Sequence, residues 1–103
     1  MIKNFRTYSL AVDFNRLANA IKLPCHLKDQ LSRAASSICL NLAEGSARRT
    51  SVDQRRFFYI AFGSLRECEA ILDLSSDDNA EAKALADKLA AYIYCLIKRV
   101  RGR

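Results

Sequence analysis

Apolar residues recur at intervals of three and four along most of this chain, and that period limits its fold more than any motif does. Leu10, Phe14, Leu17 and Ile21 form a first stripe, and Leu27, Leu31, Ala34, Ala35, Ile38 and Leu42 a second. Phe58, Ala61, Leu65, Cys68 and Leu72 form a third. Ala82, Leu85, Leu89, Tyr92 or Ile93, Leu96 and Val100 form a fourth. Each stripe is one face of an amphipathic helix. Pro24, within "LPCHL", removes a backbone donor between the first two. Ser51 with Gln54 reads as a capping box that opens the third helix. "SSDDN" breaks the period before the fourth, where Asp78 with Glu81 is placed to cap. The spacing predicts helices over about 6–22, 27–47, 52–74 and 80–100. Three glycines and one proline supply few of the turns that an all-β fold requires. The expectation is an all-α single domain over residues 1–103, an antiparallel up-down-up-down four-helix bundle.

Two of these helices are apolar over more than the face a lone bundle buries. Ser32, Ser36, Cys39, Ala43 and Ala47 fall on the side of the second helix away from its stripe, with Leu40 close by. None carries a charge, whereas a solvated face usually does. On the third helix, Phe57, Phe58, Ile60, Phe62 and Ile71 spread over an arc of about 200°, well beyond the usual stripe. Gly63 stands mid-helix, where glycine costs about 1 kcal/mol relative to alanine unless another helix approaches closely. The plain alternative is a small-residue surface with no partner. Self-association is the stronger expectation, with Ser36, Cys39, Leu40, Ala43, Ala47 and Gly63 at the interface.

Catalysis finds little in the residues. His26 is the single histidine, in an expected loop beside Pro24, and reads as a solvated side chain. No glutamate precedes it by three positions, and no Walker, Rossmann or G-x-S-x-G glycine pattern occurs. Glu67 and Glu69 point about 160° apart on one helix and do not form an acid–base pair. Cys25, Cys39, Cys68 and Cys95 have no metal-ligand spacing and read as small buried hydrophobes. No cofactor, metal or enzymatic activity is expected. The opening residues, "MIKNFRTYSLAVDF", hold no apolar run of membrane-span or signal length, so the expected location is the cytoplasm, without membrane attachment.

A polar line runs along the second helix through Gln30, Arg33, Ser37, Asn41, Glu44 and Arg48, within about 80° of arc. It is either a solvated stripe or a network joining helices or subunits. Glu44 and Arg48 stand four apart in the order that favours an ion pair.

Charge points to a binding role. The chain carries a net charge of +6, and an up-down bundle would gather much of it at one end. Lys3, Arg6, Arg48, Arg49, Arg55, Arg56, Lys98, Arg99, Arg101 and Arg103 meet there, against Glu44 and Asp53. Asp73, Asp77, Asp78 and Glu81 make the other end acidic. Within "AEGSARRT", Gly45 is expected to relax or end the second helix, with Arg48 and Arg49 near its carbonyl terminus. Free N–H groups at the head of the third helix, beside Arg55 and Arg56, would donate to a phosphate; the plain alternative is that these arginines only neutralise helix ends and keep the chain in solution. Only Phe5 and Tyr8 offer aromatic rings near these cations, so no single-strand preference is expected.

The run "DQLSRAASSICLNLAEGSARRTSVDQRRFFYIAFGSLRECEAIL" resembles the four-helix-bundle proteins encoded in 23S ribosomal RNA intervening sequences. It is also similar to the accessory variability proteins of diversity-generating retroelements. The likeness lies in Arg33-Ala34-Ala35, Ser37-Ile38, Asn41, Ala43-Glu44-Gly45 and Arg48 or Arg49. Phe57 or Phe58, Ile60-Ala61 and Gly63-Ser64-Leu65 with Glu67 follow in order. This run covers somewhat under half of the chain. The resemblance implies an up-down bundle assembled into a ring-like homo-oligomer, commonly a pentamer. For the ribosomal members it implies an RNA-related role, and for the retroelement relatives binding to nucleic acid and a reverse transcriptase. Two functions follow as expectations. One is an oligomeric nucleic-acid-binding accessory protein acting through Arg48, Arg49, Arg55, Arg56, Lys98, Arg99 and Arg101. The other is a structural adaptor whose partner is a protein such as a reverse transcriptase.

Overall fold

The computed structural model describes residues 5–101. Lys3 and Arg103, both expected at the basic end, lie outside the described residues. Four helices account for nearly all of the rest: α1 (Arg6–Asn19), α2 (Cys25–Ala47), α3 (Ser51–Leu74) and α4 (Ala80–Arg101). No strand is formed among the described residues. Each helix packs on the next in sequence and α4 closes onto α1, while neither diagonal pair brings Cα atoms within 8 Å among the described residues. The result is a four-helix bundle 43 Å long and about half as wide.

Core side chains come from all four helices. Phe14, Leu31, Ile38, Leu42, Leu65, Leu72, Leu89 and Ile93 are fully buried, and each contributes roughly 1.5–3 kcal/mol relative to exposure. The stripes of α2 and α3 are seated as expected, except that Leu27 is only half-buried at the rim. The α1 stripe is turned by one position. Thr7, Ala11, Phe14 and Ala18 face inward, while Leu10, Leu17 and Ile21 flank the core. Small residues at 11 and 18 let α1 approach its neighbours closely, and the larger leucines cover the seams. In α4, Ala86 and Ile97 join the core and Leu85 moves to its edge. Ile93, not Tyr92, is the buried member of that pair.

The joints differ from expectation by one to three residues. Helix α1 stops at Asn19, where Lys28 of α2 donates to the Asn19 and Ile21 carbonyls at 2.9 and 3.0 Å. A cation at a helix C-terminus satisfies exposed carbonyls and complements the dipole. Pro24 precedes α2, so His26 is an exposed residue of its first turn and not of a loop. Thr50, not Ser51, caps α3, its hydroxyl accepting the Asp53 N–H at 3.1 Å. Asn79, not Asp78, stands before α4, with φ at 51° and its carbonyl accepting the Lys83 N–H. Asparagine tolerates that left-handed backbone better than most residues do.

Gly45 does not end α2. The helix continues to Ala47, and Gly45 is buried where α3 crosses it. A Cβ there would stand 2.6 Å from Phe58 Cε1 and 3.1 Å from Phe57 Cβ. The glycine is therefore needed for close approach of the two helices, not for a turn.

Candidate nucleic-acid interface

The α2–α3 corner and the last turns of α4 supply the cations. Arg48 follows α2 in extended conformation, with Arg49, Thr50 and then α3. Arg48 ion-pairs with Glu44, and its guanidinium lies 4.8 Å from the centre of the Phe57 ring. Arg56 places its own guanidinium at the same 4.8 Å from that ring. One half-buried phenylalanine thus organises two arginines from different elements. Glu44 offsets part of the Arg48 charge, while no carboxylate ion-pairs with Arg49, Arg55 or Arg56 among the described residues.

Helix α4 reaches the first third of α3 through Arg101, whose Nη1 donates to the Tyr59 hydroxyl at 3.4 Å. Lys98 sits 5.6 Å from the Tyr94 ring centre, one turn before Arg101. Lys98, Arg99 and Arg101 are exposed. The structure thus ties Arg48 and Arg56 together at one ring and Arg101 to α3 at another. No hydrogen bond, ion pair or ring contact joins Arg49, Arg55 or Arg99 to the rest of the cluster among the described residues.

The helix N-terminus itself is less open to an anion than expected. Thr50 takes one free N–H, and Asp53 sets a carboxylate in the first turn. The aromatic surroundings also differ from expectation. Phe57, Tyr59 and Tyr94 all stand among the cations, whereas Phe5 and Tyr8 pair with each other at 6.4 Å. The spacing of Tyr94 and Lys98 at four residues is visible in the sequence; the Tyr59–Arg101 contact, 42 residues apart, is not.

The polar line of α2 divides into two parts. Ser37 shares a 2.8 Å hydrogen bond with Ser64 of α3, and Asn41 donates to the Ser37 carbonyl and hydroxyl at 2.9 and 3.0 Å. That half joins helices. Gln30, Arg33, Glu44 and Arg48 remain exposed.

The face expected to self-associate is mixed. Ser36 accepts from Asn15 of α1 at 3.3 Å, and Cys39 packs against the core edge, so both are partly covered within the chain. Val12, Asn15, Ser36, Cys39 and Leu40 line a shallow groove there. Leu40 is 69% exposed, Ala47 is exposed, and Ala43 is half-buried. On α3 the apolar arc is largely absorbed: Ile71 is core, Phe62 packs at its edge, and Phe57 lies under its arginines. Ile60 remains 45% exposed, and a Cβ on Gly63 would meet no other side chain or neighbouring helix within 4 Å among the described residues.

Burial splits the cysteines. Cys25 and Cys95 are exposed, contrary to the expectation of four buried hydrophobes. Desolvation raises the Cys39 thiol, and it pushes Cys68 up to about 12, with Glu67, Glu69 and Cys39 adding to it. Among the described residues no group of three or more His, Cys, Asp or Glu could hold a metal ion. No helix among them is long and apolar enough to cross a membrane.

No curated protein sequence matches this chain. A family model described as 23S rRNA-intervening sequence protein matches residues 4–102, almost its whole length, and the chain belongs to that family.

Proposed function

We propose that this chain is a non-enzymatic, RNA-binding accessory protein of the cytoplasm, working as a homo-oligomer. Its helices run up-down-up-down. Support for that order comes from the short connections, and from Gly45 meeting Phe58 while Ser37 meets Ser64 deeper in both helices. The observation that carries the function is the cation cluster of Arg48 and Arg56 about Phe57, with Arg101 held on Tyr59, in a member of this family. Such side chains contact phosphates, which position a nucleic-acid backbone and carry little sequence information. A ring of subunits, five by the family resemblance, would repeat the cluster and add its contacts.

The test is RNA affinity as a function of salt, for the wild type and for a variant carrying Arg48→Ala, Arg49→Ala, Arg55→Ala and Arg56→Ala. Affinity should fall steeply with salt. Each arginine that neutralises a phosphate should, once removed, flatten the log–log slope by roughly 0.7 on single strands. Equal slopes for the two proteins, or no binding at low salt, would reject the reading.

A further inference from the structure

Three aromatic rings on the α3–α4 side each carry a cation. Arg101 hydrogen-bonds the Tyr59 hydroxyl, Lys98 lies beside Tyr94, and Arg66 stands 4.8 Å from the Phe62 ring centre. Tyr94, Lys98 and Arg101 recur at four and three and so share one face of α4. The Arg101 contact joins that face to α3. Tyr59 and Tyr94 are 48% and 52% exposed, although tyrosine rings offer much apolar area to bury. Phe57 differs from them, because it is half-buried and holds two guanidinium groups against its ring.

Alternating rings and cations match single-stranded nucleic acid, in which every base has a free π face and every linkage a negative charge. A duplex hides those faces within its own stack, and an A-form duplex offers side chains only its shallow groove and backbone. Seven residues of helix separate Tyr94 from Arg101, about 10 Å along the axis. At about 3.4 Å per stacked nucleotide, that is roughly three steps of one strand. Resting on the RNA-binding reading above, we propose that the α3–α4 face takes unpaired RNA bases, stacked on Tyr59 and Tyr94, with Arg101 and Lys98 on the adjoining phosphates.

The experiment compares an unstructured RNA oligonucleotide with the same strand annealed to its complement. Wild type, Tyr59→Ala/Tyr94→Ala and Tyr59→Phe/Tyr94→Phe proteins are titrated at one salt concentration. Wild type should prefer the single strand. The alanine pair should lose about fivefold or more per ring on the single strand, over and above what loss of the Tyr59–Arg101 contact costs on the duplex. The phenylalanine pair keeps the rings and should retain the preference. The chain has four tyrosines and no tryptophan, so its intrinsic fluorescence reports on stacking directly. Single-stranded RNA should quench wild-type emission more than that of the phenylalanine pair, which answers the question even if the alanine pair does not fold. Equal binding of single strand and duplex, with no excess quenching in the wild type, would overturn the stacking face and leave phosphate binding standing. Absence of binding to either RNA would reject both.

Discussion

Cys68 lies on the core face of α3 with no exposed surface, and loss of water pushes its thiol up to about 12. The folded chain therefore keeps this proton at pH values where an unfolded chain, titrating near 9.0, gives it up. The raised value contributes stability that is fully present below pH 9. It declines as pH rises from 9 toward 12, by at most about 1.4 kcal/mol per pH unit. Between pH 8 and pH 10.5 the urea midpoint should fall further for the wild type than for Cys68→Ala, which lacks the proton but keeps every other titrating group. The same burial orders reactivity, since the thiolate is the nucleophile. Mass spectrometry during alkylation of the folded protein should show two fast additions, at Cys25 and Cys95, then Cys39, and Cys68 last.

Glycine on a helix has two meanings here. Replacing Gly45 with alanine gains about 1 kcal/mol of helix propensity. It also drives a Cβ to 2.6 Å from Phe58, whose ring is buried and has little room to yield. Overpacking typically costs about 1–3 kcal/mol, so the net effect should be destabilising, read as a lower urea midpoint. Gly63→Ala meets no neighbour within 4 Å among the described residues and should stabilise an isolated subunit by about 1 kcal/mol. Helix existence is legible in the sequence because the three-and-four period repeats over long windows. Helix ends are not. Thr50 and Ser51 offer the same hydroxyl at adjacent positions, and only backbone conformation selects Thr50. The inward face of α1 escapes a reading by bulk, because close helix contact selects Ala11 and Ala18 over Leu10 and Leu17. The cations of the candidate interface are all legible by charge, and Tyr94 by its spacing from Lys98. Tyr59 is not, because it meets Arg101 only once α3 and α4 are packed.

At the scale of the whole molecule, one uncharged face is only partly covered among the described residues. Leu40 is 69% exposed on α2, in line with Ser36, Ala43 and Ala47, and none of these is charged. Ile60 on the neighbouring helix α3 is 45% exposed. Gly63, open on its outer side, has no packing reason among the described residues. Much of the α3 arc is covered by the chain itself, so assembly would engage the outer face of α2 with Ile60 and Gly63. A second copy would cover these apolar side chains, and the small residues would let its helix approach closely. Ala43→Glu sets a carboxylate in the middle of that face, where association would bury it without a counter-charge. Light scattering at micromolar concentration should give an oligomer for the wild type and a smaller species for Ala43→Glu, with helical circular dichroism retained. RNA affinity of the variant should fall with assembly, because each separated subunit holds the strand through a single cluster and forgoes the gain from linked sites. A monomeric wild type would remove assembly from the proposed function, and undiminished affinity in a dissociated variant would show that one basic end suffices.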